Sequence, residues 1–301
     1  MAESTQLRVA VLGAGGIGGL LGALLTRAGH RVIFLGRPDT VHSLRVDGMR
    51  VRSAQFGQFD VAVAADTELR EPVDACLIAV KQPDLMSALE RIDPDVAGTA
   101  LLVPLLNGIE HPGILRKRYR PELVAPGVIR VESTRTEPGL IVQGSSFVEV
   151  DLAGADGARD QLGALAATLT GAGIVARVQD DETAMLWRKL VALAPFALMT
   201  THYRAPIGTI RTEHRAELVA VLGEIAEISR ACGVEVDVEA ALRFYDAFPD
   251  LAMSSMQRDA QAGRSLESDA IGGALLRMSA LHAVPAPLTE QLVRQVLAAA
   301  S

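Results

Sequence analysis

The chain has 301 residues, 49% of them hydrophobic and 22% charged, which is enough to bury the cores of two ordinary domains. A formal net charge of −7, with no basic cluster interleaved with aromatics, argues against a nucleic-acid surface and for a small-molecule partner. Only two cysteines occur, Cys76 and Cys232, far apart and in apolar context; they fit a reducing cytoplasm, and with six histidines at no ligand spacing they leave no expectation of a metal.

The run Val9-Ala10-Val11-Leu12 leads into Gly13-Ala14-Gly15-Gly16-Ile17-Gly18, and an Ala/Leu-rich helical run leaves it. Gly13, Gly15 and Gly18 stand at the G-x-G-x-x-G spacing between strand and helix, the context in which that motif binds a dinucleotide. Gly13 permits the tight turn, Gly15 lets the backbone approach a pyrophosphate, and Gly18 lets the helix lie close to the strand. Gly16 and Ile17, in the first helical turn, join these glycines as expected cofactor contacts, because the amides of that turn face the diphosphate. The uncharged stretch from Val9 to Thr26 could pass for a membrane or signal segment. Six of its eighteen residues are glycine, however, and no cleavage pattern follows. No membrane association is expected.

After a helix over about Ile17 to Ala28, Arg31 to Leu35 reads as a second strand. At its tip an acid would bind the ribose 2′-hydroxyl of NAD; here Gly36 takes that place and Arg37 follows, which suits the 2′-phosphate of NADP(H). Alternating runs at Met49 to Ser53 and Phe59 to Ala64 suggest edge strands or a hairpin. Two continuous apolar runs, Ala75 to Val80 and Ala100 to Leu106, read as strands buried on both faces of a parallel sheet. Lys81 follows the first and Asn107-Gly108 the second. Ligands of open α/β sheets lie beyond the carboxyl ends of the strands, so Lys81, Asn107 and the glycine loop are expected to face one cleft. Leu123 to Val150 reads as a meander at the far edge of the sheet, followed by a helix near Ala158 to Leu169 and a strand near Ile174 to Val178.

Beyond Asp180 no strand pattern remains. Amphipathic runs cover Asp181 to Met199, Glu213 to Cys232, Val238 to Tyr245, Leu266 to His282 and Leu288 to Ala300, with Pro195 expected to kink the first. The fold class is therefore α/β: a Rossmann-type doubly wound domain over residues 1–180 and an all-helical substrate and catalytic domain over 181–301. Lys189 lies among apolar residues of the first of these helices. A lysine there ordinarily snorkels to water, but desolvation also lowers a lysine's pKa, as a proton donor working near neutrality requires. Periodicity does not separate a solvated face from a dimer interface on these helices, so a homodimer stays open.

The glycine loop, Arg37, Lys81, Asn107, Leu186-Trp187-Arg188-Lys189-Leu190, and Ser254-Ser255-Met256 followed by Glu267 together resemble the ketopantoate reductase (2-dehydropantoate 2-reductase) family along nearly the whole chain. The resemblance implies NADPH-dependent reduction of a 2-oxo acid in the cytoplasm, within pantothenate biosynthesis. It implies Lys189 as general acid, Glu267 as a carboxylate touching lysine or substrate, Ser255 as a substrate-carboxylate contact, and Lys81 and Asn107 at nicotinamide ribose and substrate. By pattern alone Ser255 could equally be a helix N-cap, and Glu267 a first-turn carboxylate. The family usually carries asparagines four and eight residues after the lysine, where they hold the substrate. Here those substrate-facing positions are Leu193 and Ala197, which removes the polar handle for a substrate hydroxyl. A less polar carbonyl or imine substrate on the same scaffold is the nearest alternative. A non-catalytic NADP(H) sensor is the other, although a sensor has no need of the Lys189 and Glu267 pair.

Overall fold

A computed structural model describes residues 6–299. Its strands are β1 (Arg8–Leu12), β2 (Arg31–Leu35), β3 (Met49–Ser53), β4 (Gly57–Val61), β5 (Ala64–Asp66), β6 (Ala75–Ile78), β7 (Leu101–Pro104), β8 (Gly127–Arg130), β9 (Ser133–Glu137), β10 (Leu140–Gln143), β11 (Glu149–Leu152) and β12 (Val175–Val178). Among them run helices α1 (Gly16–Arg27), α2 (Pro38–Asp47), α3 (Leu85–Leu89), α4 (Pro94–Ala97), α5 (His111–Arg116) and α6 (Arg159–Gly171). The described chain divides into two compact units, one running to Leu106 and resuming over His111–Glu182, the other made of Asn107–Glu110 and the chain from Thr183 onward.

In the first unit β5-β2-β1-β6-β7 form a parallel sheet, so its own strands run third, second, first, fourth, fifth in chain order. That is the order of a dinucleotide-binding half. The apolar runs that announce β1, β6 and β7 are continuous because successive side chains enter two different cores. Val9, Val11, Ala75, Leu77, Leu101 and Val103 pack on the α1 face. Ala10, Leu12, Cys76, Ile78 and Leu102 pack on the opposite one. Strands β6 and β7 end at Ile78 and Pro104, two residues before each apolar run does; Pro104 has no N–H with which to extend the ladder.

The expected meander at the far edge does not exist. Strands β8 to β12 leave the main sheet and build two others, β4-β3-β10-β9 and β12-β11-β8. The run Phe59 to Ala64 is likewise split, with β4 closing a hairpin on β3 and β5 joining β2. The cause lies in α1, whose outer face needs a cover: Met49, Val51 and Ile141 of the second sheet are fully buried in the core that holds Leu20, Leu21, Leu24 and Leu25. Helix α1 is thereby clasped from two sides, and its glycines divide accordingly. A Cβ on Gly18 would lie 2.0 Å from the Gly13 carbonyl oxygen, and one on Gly22 2.3 Å from the Phe34 ring, both towards the main sheet. On Gly16 it would lie 2.3 Å from the Ser133 carbonyl oxygen, and on Gly19 2.6 Å from Ile141, both towards the second sheet.

The second unit contains α7 (Glu182–Tyr203), α8 (Ile207–Glu213), α9 (Arg215–Ala231), α10 (Val238–Ala247), α11 (Ser255–Gln261), a π-helical turn (Asp269–Gly273), α12 (Ala274–His282) and α13 (Pro287–Ala299). Helix α7 continues through Pro195 to Tyr203, past the expected end at Met199. Pro195 has no N–H for the preceding turn. On that turn the buried Tyr245 hydroxyl donates to the Ala192 carbonyl at 2.6 Å. Leu190, Val191, Ala194, Leu198, Leu222 and Ile225 are among the side chains of one shared core.

Because backbone meets backbone at Gly18, Gly18→Ala is expected to overpack the loop–helix contact and destabilise the protein by about 1–3 kcal/mol. Urea unfolding followed by far-UV circular dichroism measures this. A midpoint equal to that of the parent protein would mean that α1 moves off its strand freely.

Candidate active site

At the carboxyl edge of the parallel sheet, Gly13 has φ +100°, a left-handed conformation that a side chain would strain, and its N–H donates to the Leu35 carbonyl at 3.1 Å. The chain leaving β6 passes just beside it: a Cβ on Gly13 would lie 2.8 Å from Val80 and 3.0 Å from the Ala79 carbonyl oxygen. Gly15 is the extended N-cap of α1, and no atom lies within 4 Å of the place its Cβ would occupy. The first turn of α1 has no side-chain cap and no acid, so its amides remain available to an anion. Gly16 earns its place differently: its carbonyl accepts from the Ser133 hydroxyl at 2.8 Å, and Ile17 packs partly buried against the core below.

Gly36 follows β2, its N–H donating to the Asp66 carbonyl at 3.1 Å, and the exposed Arg37 is the N-cap of α2. The Arg37 guanidinium donates to Asp84 at 3.0 Å. Asp84 closes the short 3₁₀ turn Gln82–Asp84, whose N-cap is the half-buried Lys81. Within this unit, glycine loop, Lys81 turn and Arg37 thus share one edge. An uncapped helix start, no carboxylate at the tip of β2 and a guanidinium beside it fit a nicotinamide dinucleotide. Asp84 is a member of this edge that sequence spacing did not indicate.

Asn107 follows β7 in sequence but belongs to the second unit, where its side-chain amide donates to Glu267 Oε2 at 2.9 Å. Glu267 is 9% exposed and immediately precedes the helical turns that include the π-helical Asp269–Gly273. Its carbonyl accepts from Ile271 N–H at 3.1 Å, and the positive end of the helix favours a negative group at this point. Gly108, at φ +88°, lets the loop touch that turn: a Cβ there would stand 2.3 Å from the Ala270 carbonyl oxygen. Glu110 accepts two hydrogen bonds from Arg277, at 2.8 and 2.6 Å, and Asp269 accepts a third at 2.8 Å. These bonds, that of Glu110 foremost, push the Arg277 pKa further above the ordinary guanidinium value.

Lys189 and Leu193 are half-buried on α7, one turn apart, whereas Ala197 is only 1% exposed and lies in the helical core. Of the two apolar positions expected at the substrate, Leu193 therefore has the accessible surface. The N-cap of α11 is Ser254, whose hydroxyl accepts from Gln257 N–H at 3.0 Å and hydrogen-bonds the Thr200 hydroxyl of α7 at 2.8 Å. Ser255 is the exposed first residue of that helix. Burial pushes the Cys76 thiol up to about 12, which makes it a packing residue rather than a nucleophile. Among the described residues no group of three His, Cys, Asp or Glu side chains could hold a metal, and no helix is long and apolar enough to cross a membrane.

The family model described as "Ketopantoate reductase PanE/ApbA" matches residues 9–152, and its C-terminal counterpart matches residues 181–300. An uncharacterized oxidoreductase, YkpB, of Bacillus subtilis is 27% identical, with 94% of this chain and 96% of that protein covered. A 2-dehydropantoate 2-reductase of Caulobacter vibrioides is 25% identical over 97% and 99%. The ternary structure of D-mandelate dehydrogenase with NADH and anilino(oxo)acetate shares the fold, with a TM-score of 0.91 at 21% identity over 98% of each chain.

Replacing Asn107 by leucine leaves the buried Glu267 carboxylate without this donor. The expected cost is about 1–3 kcal/mol of stability, read as a lower thermal midpoint. An unchanged midpoint would show that the contact contributes nothing to the fold.

Proposed function

We propose that this chain, which belongs to the ketopantoate reductase family, reduces a 2-oxo acid to the corresponding 2-hydroxy acid with NADPH as cofactor. The observation that carries this reading is the Asn107–Glu267 hydrogen bond: a strand-end amide and a buried carboxylate, 160 residues apart, meet in the unit that also carries Lys189. Bound NADPH supplies the hydride. Gly16, Ile17 and Gly18 would hold its pyrophosphate through the open amides of α1, with Gly13 turning the chain and Gly15 leaving room for it, and Arg37 would bind the 2′-phosphate in exchange for its contact with Asp84. Lys81 and Asn107 contact the nicotinamide ribose and the substrate.

When a hydride adds to a ketone, one C–H bond forms and the carbonyl π pair moves onto oxygen. The Lys189 ammonium stabilises that charge and then transfers its proton to the oxygen, which completes the alcohol; solvent reprotonates the amine. Glu267, oriented by Asn107, accepts hydrogen bonds from the lysine or the substrate. Ser255 donates to the substrate carboxylate. Leu193 presents methyl groups where the family usually offers an amide, so the substrate is a 2-oxo acid with an apolar side chain, because a site without a polar partner gains nothing from a substrate hydroxyl.

Screening NADPH oxidation across 2-oxo acids tests this, with the parent protein and Lys189→Ala side by side. The parent is expected to prefer hydroxyl-free 2-oxo acids over ketopantoate. Lys189→Ala is expected to lose about 10²- to 10⁴-fold in kcat while still binding NADPH. Binding without turnover of any carbonyl would instead make the protein a sensor, and a strong preference for ketopantoate would remove the argument from Leu193. Arg37→Ala is expected to weaken NADPH binding about 10- to 100-fold and leave NADH binding unchanged, measured by nucleotide fluorescence, since one charge-assisted contact to phosphate contributes roughly 1.5–3 kcal/mol. Equal effects on the two nucleotides would remove Arg37 from cofactor selection.

A further inference from the structure

A single amide hydrogen bond does not hold a four-residue loop in register, yet the bond from Asn107 to Glu267 requires it. The loop Asn107–Glu110 touches the segment Glu267–Arg277 at three places. Asn107 meets Glu267, Gly108 lies against the Ala270 carbonyl, and Glu110 takes both arms of the Arg277 fork. Two parallel bonds between a guanidinium and a carboxylate fix direction as well as distance. The Arg277 head is itself held from the other side, by Asp269 Oδ1 at 2.8 Å and the Asp269 carbonyl at 3.2 Å. Gly273 lies underneath: a Cβ there would be 2.5 Å from Asp269 Oδ1 and 3.2 Å from Arg277 Nη1, so its absence lets the ion pair lie flat along the helix.

We infer that Arg277 is a positioning residue for the reaction: its fork on Glu110 sets the 107–110 loop on the π-helical turn so that the Asn107 amide reaches the Glu267 carboxylate. The inference rests on the role given to Glu267 above. The Arg277 and Glu110 side chains are 45% and 35% exposed, and pairs so open to water contribute little to folding stability. Their weight therefore falls on geometry, and loss of the pair should leave the fold standing while the catalytic constellation loosens.

The test uses the full-length protein, its Arg277→Met and Arg277→Lys variants, and two readouts. The first is steady-state kinetics on the best 2-oxo acid, together with NADPH affinity and the thermal midpoint. The second is the Asn107 side-chain amide resonance in ¹⁵N-labelled protein, assigned by its loss in Asn107→Ser, with its solvent-exchange rate. In Arg277→Met, kcat is expected to fall about tenfold, as small misplacements of catalytic groups do, with NADPH affinity kept and the thermal midpoint lowered by less than in Asn107→Leu. The Asn107 amide shifts and exchanges faster, and Arg277→Lys recovers part of both effects. Unchanged kcat in an active enzyme, or a kcat loss with the Asn107 resonance unmoved, overturns the inference. If the parent turns over no 2-oxo acid, the functional reading fails on its own, and the Asn107 resonance still decides whether Arg277 holds the loop. Should Arg277→Met fail to fold, Glu110→Gln carries the same two readouts.

Discussion

The contact on which most of the first unit depends is between two backbones: Gly18 of α1 over the carbonyl of Gly13, with no room for a methyl group between them. So close an approach sets the axis of α1 against β1 and leaves the amides of its first turn at the carboxyl edge of the sheet. The same helix is too thin on its outer side to be left to solvent. Its small residues there invite a second sheet, and Ser133 and Ile141 close over Gly16 and Gly19. One glycine-rich helix thereby determines both how the unit packs and where its uncapped amides lie. Gly16, Gly18, Gly19 and Gly22 are bare because neighbouring atoms press on them, whereas Gly15, just ahead of the helix, has open space above it, the place where the proposed pyrophosphate would lie.

How far the chain can be read without coordinates follows from which interactions are local. Strands buried on both faces declare themselves as unbroken apolar runs, and β1, β2, β6 and β7 were legible for that reason, to within two residues at their ends. The partners of β8 to β12 were not, because a short half-buried strand carries alternation but no address. Whether β10 lies beside β3 or at the edge of the main sheet is decided by what α1 needs covered, not by anything in Leu140–Gln143 itself. Helix α8 escaped notice, and α11 showed only through its candidate serine cap, for a similar reason: seven residues are too few to show a period.

Residues marked by type and position can be nominated for a site from sequence, whereas residues that act through pairing cannot. The glycine loop, Arg37 and Lys189 stand out in sequence; Asp84, Glu110 and Arg277 are ordinary charges until the fold brings them to Arg37 and to one another. Ser254 and Ser255 illustrate the finer limit. Adjacent serines before a helix are interchangeable on paper, yet only Ser254 has the extended backbone and the Gln257 N–H that make an N-cap, which leaves the Ser255 hydroxyl uncommitted to capping.

The segment Asn107–Glu110 shows why dividing the chain at one residue misdescribes it. Covalently it interrupts the first unit, lying between Leu106 and His111, but its contacts belong to the second. A left-handed glycine makes this possible, since Gly108 turns the chain while pressing against the Ala270 carbonyl, where any side chain would collide. The π-helical turn answers on the other side: one extra residue per turn offsets Glu267 from the helix that follows, so that a carboxylate for Asn107 and a guanidinium for Glu110 come from one continuous segment. Two local departures from regular backbone, of which only the Asn107-Gly108 turn is marked in sequence, thus bring the Asn107 donor to the buried carboxylate. Under the proposed function, the carboxylate and its donor are thus held on segments other than α7, which carries Lys189 and Leu193 one turn apart, so a change of polarity at Leu193 leaves the Asn107–Glu267 contact untouched.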